Sequence, residues 1–101
     1  MIDKLKSVID RYDELSDLMS LPDSTNDMKA FTRLAREQRR LTELVEHGKQ
    51  YIDTYNQIKD DDEILKGDDP ELKELVKEEI GALRERLTHL EDKLKILLIP
   101  K

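Results

Sequence analysis

The sequence predicts an all-α protein: an elongated three-helix antiparallel bundle whose second and third helices form a long coiled-coil-like hairpin. Three observations carry this prediction. Apolar residues recur at steps of three and four along three separate stretches. The chain is 42% charged and 37% hydrophobic, with 4% aromatic residues and no Trp, which suits narrow apolar seams better than a thick core. No segment shows the strict polar-apolar alternation of a half-buried strand.

The 101 residues are read as one domain, with helices at about 2–19, 25–65 and 70–97. In the first helix, Ile2, Leu5, Val8, Ile9, Tyr12, Leu15, Leu18 and Met19 form the apolar stripe. Pro22 in "LPDSTND" stops it, and Ser24 followed by Asp27 resembles a capping box. The second seam reads Phe31, Leu34, Gln38, Leu41, Val45, Gly48, Ile52 and Tyr55. An interior Gly costs about 1 kcal/mol relative to Ala, so Gly48 marks a soft point or a close helix contact. The third seam is apolar throughout: Leu72, Val76, Ile80, Leu83, Leu87, Leu90, Leu94 and Leu97.

Between the second and third helices lies "KDDDEILKGDDPELKE", in which Asp60–Glu71 holds seven acids and one base. A calcium loop of the EF-hand type needs oxygen ligands at positions 1, 3 and 5 and Gly at 6. Counted from Asp60, positions 5 and 6 are Ile64 and Leu65, so the spacing fails. A hairpin turn accounts for more of the residues. Gly67 ends one helix in the left-handed conformation, Asp69 caps the next, and Pro70 takes its first position. A turn near Asp68 sets a register in which Leu87 faces Gly48, Leu83 faces Ile52 and Ile80 faces Tyr55. The first helix then lies along residues 27–44, so the tip rests on two helices and is mobile or steadied by a partner.

The composition excludes several classes of function. There is no Cys, so disulfides and thiol chemistry are absent, as suits a cytoplasmic protein. No apolar run approaches the ~20 residues of a membrane span, and the start lacks a signal-peptide core. Net charge is −6, concentrated in residues 1–26 and 60–71, so no broad nucleic-acid footprint exists. His47 and His89 occupy no metal-ligand spacing, the serines lie in no nucleophile elbow, and Gly48, Gly67 and Gly81 are too dispersed to cradle phosphate. The sequence therefore points to no catalytic residue, cofactor or metal.

One cluster carries possible chemistry. Arg33, Arg36, Arg39 and Arg40 all fall off the second seam. Their planar donor forks suit phosphate or carboxylate, so they are the candidate partner-binding residues. The plainer interpretation is a solvated face with i,i+4 pairs Arg33–Glu37 and Arg39–Glu43.

The order "RYDEL" (Arg11–Leu15), a Pro-containing spacer, "FTRLAREQ" (Phe31–Gln38), "DDPELKELVKEEI" (Asp68–Ile80) and "LKILLIPK" (Leu94–Lys101) resembles the N-terminal helical domain of bacterial class I peptide-chain release factors. Within that family it is most similar to the type that reads UAA and UAG. The resemblance spans essentially the whole chain; Asp69–Leu72 and Leu97–Lys101 are its more specific parts. Leu21-Pro22-Asp23 departs from the Asp-Pro that the family often has there. The resemblance implies a role in translation termination and a contact with the ribosome at the large-subunit stalk base. It also implies central domains with a Pro-x-Thr codon-reading tripeptide and a Gly-Gly-Gln loop, neither of which this sequence contains.

The apolar run Ile96–Ile99 fits a truncated N-terminal fragment whose partner is the rest of the release factor chain. The fragment is then not itself an enzyme. Two alternatives stand beside this. One is a stand-alone helical scaffold or adaptor that homodimerises through its seams; the other is a tRNA-gripping arm like that of seryl-tRNA synthetases, which the net charge disfavours.

Overall fold

The computed structural model describes residues 1–100. It contains three α-helices and one short 3-10 turn: α1 (Ile2–Met19), the turn Ser24–Asn26, α2 (Met28–Lys66) and α3 (Pro70–Leu97). No strand occurs among the described residues. The chain divides into two compact units, Met1–Lys49 and Gln50–Lys101.

In the first unit α1 runs antiparallel to the start of α2. Leu5 and Leu15 are almost wholly buried, each contributing about 1.5–3 kcal/mol of transfer free energy. Gln38, a polar break in the predicted seam, donates to the Tyr12 carbonyl and the Ser16 hydroxyl, so α2 holds α1 by side-chain amide as well as by leucine. Gly48 is buried, and a Cβ placed there would stand 3.2 Å from Leu5 Cδ2. The close contact expected at Gly48 therefore exists, and Leu5 of α1 supplies its nearest atoms. The first helix reaches further along α2 than residue 44 because Leu5, near its start, packs there.

The link between α1 and α2 also differs from expectation. Ser24 does not cap α2; its hydroxyl donates to the Met19 carbonyl and closes the end of α1 (2.9 Å). Residues 24–26 take up the 3-10 turn, so α2 starts at Met28 instead of near residue 25. Asp27 supplies the cap, its Oδ1 accepting from Ala30 N at 3.1 Å.

In the second unit the end of α2 turns back into α3. Arg86 donates to Gln50 and Gln57 donates to Glu79, two pairs symmetric about Asp68. The antiparallel register of this hairpin is thus the one the turn position predicts. Val76, Ile80, Leu90 and Leu94 are buried along α3, whereas Leu72 remains 46% exposed. Asp69 caps α3, accepting from Glu71 N (3.0 Å) and Leu72 N (3.2 Å), with Pro70 next to it. Gly67 departs from expectation: no glycine has positive φ. Its N–H instead donates to the Ile64 carbonyl at 3.0 Å, an i→i+3 bond that tightens the last turn of α2.

The buried stripe of α2 also shifts. Tyr51, Thr54 and Asp61 are buried, while Tyr55, assigned to the seam by its apolar ring, is 42% exposed. Thr54 tolerates burial because its hydroxyl donates to the Gln50 carbonyl at 2.7 Å. The acids Asp60–Glu63 lie within helix, so no calcium loop forms there.

Candidate functional site

The four predicted arginines lie on one stretch of α2 in the first unit, and all four are exposed. None of their guanidinium groups makes a hydrogen bond or ion pair among the described residues. At 3.6 residues per turn, Arg33, Arg36 and Arg40 fall within about 60° of one another, and Arg39 sits about 60° to the other side of Arg36. Lys29 extends the same face by one turn. A shallow open groove at the start of this face is lined by Met28, Lys29, Thr32, Arg33 and Arg36. Lys29 belongs with the arginines and was passed over in the sequence because it stands apart from their cluster; its signal is the i,i+4 spacing to Arg33.

The acid expected to neutralise Arg33 is engaged elsewhere. Glu37 accepts from Arg11 Nε at 2.6 Å and from Arg11 Nη2 at 2.9 Å. Arg11 also holds Glu14 at 2.9 Å. The hydrogen bonds from Arg11, aided by its charge and that of Arg40, hold the Glu37 carboxyl below the usual glutamate range. Pairing with Glu37 likewise raises Arg11. This bridge binds α1 to α2 and draws to Arg11 the carboxylate that helical spacing would have given Arg33, while Arg40 keeps a longer-range attraction to it. Sequence spacing missed it because the two residues are 26 apart.

In the second unit the unusual group is Asp61. Its residue is 5% exposed, and its Oδ2 lacks a hydrogen-bond partner among the described residues. Burial, then the carboxylates of Glu79, Asp60 and Asp62, push its pKa up. No cluster of three His, Cys, Asp or Glu suited to a metal occurs among the described residues. His47 Nδ1 lies 2.9 Å from the Glu43 carbonyl, and His89 is exposed on α3. No described helix is long and apolar enough to cross a membrane. Exposed arginine forks like those on α2 suit the geometry of carboxylate or phosphate oxygens.

Residues 8–101 match the PCRF domain, and the chain belongs to that family. Along its length it is similar to proteins named Peptide chain release factor 1. It is 43% identical to that of Ligilactobacillus salivarius over 102 aligned residues, covering 100% of this chain and 28% of the relative. It is 44% identical to that of Sulfurovum sp. over 98% of this chain and 27% of the relative. With that of Listeria monocytogenes the identity is 44%, covering 100% and 28%. The chain thus spans a little over a quarter of the length of these relatives. No solved structure matches it significantly. The terminal motif of the family resemblance, Leu94–Lys101, is described as far as Pro100; Lys101 lies outside the described residues.

Proposed function

We propose that residues 1–101 are the helical accessory module of a translation termination factor, which orients the factor on the ribosome near the stalk base of the large subunit. The observation that carries this is similarity across the whole chain to relatives named Peptide chain release factor 1, together with membership of the PCRF domain family. On this reading the module works in the cytoplasm as a positioning element, and peptide release belongs to other parts of the factor. Arg33, Arg36, Arg39 and Arg40 make the polar contact, since they are exposed and make no hydrogen bond or close ion pair among the described residues. Ile96 and Ile99, 66% and 64% exposed, offer apolar surface to the rest of the factor.

The test is peptide release by the full-length factor on stop-codon ribosomes. Reversing the four arginines to Glu raises the factor concentration needed for half-maximal release and leaves the saturated rate and helical content unchanged. An unaltered concentration dependence removes the arginines from the contact. A full-length factor without release activity overturns the functional assignment. The competing scaffold reading rests on the exposed Leu72 and Leu75 of α3; sedimentation of a stable dimer of the full-length protein through them favours it.

A further inference from the structure

We propose that Lys29, Arg33, Arg36 and Arg40 form a ladder that binds consecutive phosphates of an RNA backbone. The proposal rests on the ribosome-contact reading above and names the partner chemistry of that surface. The four residues follow one another at i, i+4, i+7 and i+11, a row about 16 Å long at 1.5 Å per residue. Met28–Arg36 contains no acid, and Glu37, about 40° from Arg33 and about 60° from Arg40 around the helix, is tied to Arg11 by two short hydrogen bonds.

A continuous row of donors fits a continuous row of acceptors. Nucleic-acid backbones present charge as a line, whereas carboxylates on a protein surface come as separate points mixed with bases. Three of the four rungs are Arg, whose fork pairs two phosphate oxygens at once. These exposed α2 side chains make no hydrogen bond or close ion pair among the described residues, so only the longer-range attraction of Arg40 to Glu37 is given up on binding. Thr32 and the 58%-exposed Met28 line the groove beside the row and give sugar edges a less polar floor. The rest of the molecule disfavours RNA, since the chain carries a net −6. The contact is therefore local, and affinity for RNA rests on this row alone.

The experiment measures binding of the full-length protein to ribosomes, and to a 20-base-pair RNA hairpin, between 50 and 200 mM KCl. Each phosphate contact adds about 0.7–0.9 to the slope of log K against log salt. Over that fourfold range the wild type should lose about 20- to 40-fold more affinity than a variant combining Arg33→Gln, Arg36→Gln and Arg40→Gln. A photocrosslinker at Thr32 should transfer to RNA. An unchanged salt slope in the triple variant, or transfer to ribosomal protein alone, overturns the ladder and leaves the orienting role standing. A wild type that does not bind ribosomes sinks the orienting role, and the hairpin slopes then decide the ladder by themselves.

Discussion

Arg11 on α1 and Glu37 on α2 meet edge to edge, with Nε and Nη2 at 2.6 and 2.9 Å from the two carboxylate oxygens. The relationship joins two elements 26 residues apart and takes from Arg33 the acid that helical spacing would have given it. One fork therefore fixes both the seating of α1 and the free charge on the outer face of α2. Both side chains are partly exposed, so solvent and salt moderate the pair.

Glu37→Gln should lower the melting temperature at pH 7 by about 2–4 °C, a modest effect that fits a part-exposed but two-pronged pair. The sign of its pH dependence follows from the direction of the shift. The carboxyl is held below its ordinary range in the folded chain, so its stabilisation is present above the unfolded pKa and lost as pH falls through the folded one. Thermal melts should show wild type and variant converging in acid and in high salt. A gap that persists at low pH would mean that the variant acts by something other than the ion pair.

Gly48 offers a separable test of packing. Gly48→Ala gains about 1 kcal/mol of helix propensity. Against this, the new methyl presses on Leu5 Cδ2 at 3.2 Å, and Leu5 is 1% exposed with little room to retreat. The two effects should nearly cancel in the wild-type background. Leu5→Ala alone should cost about 2–5 kcal/mol. In that background Gly48→Ala should recover the full propensity gain of about 1 kcal/mol. Denaturant unfolding of the four members of this cycle measures the coupling; strictly additive effects would refute the contact.

How far the fold can be read from sequence depends on which letters occupy the seams. Along α3 the seam is apolar at every step, and from Val76 to Leu94 the structure buries it or half-buries it where the periodicity placed it. The end of α2 was misread by one position because Thr54 and Asp61 stand inside the stripe and Tyr55 stands partly outside. Apolar periodicity cannot register a buried threonine whose hydroxyl is satisfied by its own helix. The exposure of the four arginines was legible because they lie off the seam. The loss of Glu37 to Arg11 was not, since nothing local couples residues on different helices. Gly48 was legible as a close approach, and Leu5 on α1 supplies its nearest contact atoms.

Asp69 governs the start of α3 through bonds to Glu71 N and Leu72 N. Asp69→Ala should cost about 1 kcal/mol, within the usual 0.5–2 for a lost cap. Asp69→Ser should restore most of it, because a hydroxyl accepts the same bonds. Hydrogen exchange at the first turns of α3 is the suitable probe: the Ala variant should exchange faster there, while the amides of α1 stay as in wild type. Equal protection at Leu72 in all three proteins would show that Pro70 and the hairpin packing suffice.

A second pH dependence, of opposite sign to that of Glu37, should come from Asp61. It is buried in the α2 stripe with Oδ2 unpaired, and it faces Glu79 across the hairpin with Asp60 and Asp62 beside it on α2. The nearby polar groups are already engaged, Gln57 with Glu79 and Arg84 with Asp62. Burial first, and these like charges second, raise its pKa. The proton is thus held more tightly in the folded chain, so stabilisation is complete below the unfolded value and is lost as pH rises through the folded one. At neutral pH the ionised carboxylate works against the fold. Asp61→Asn should therefore stabilise the second unit at pH 7 by on the order of 1 kcal/mol, since the amide removes the buried charge and can donate to Glu79. Protection of amides in residues 57–66 and 72–80, measured by hydrogen exchange, should rise in the wild type as pH is lowered toward the carboxylate range. In the Asn variant that rise should be largely absent. Loss of protection on substitution at pH 7 would show instead that the carboxylate has a partner that supports the hairpin.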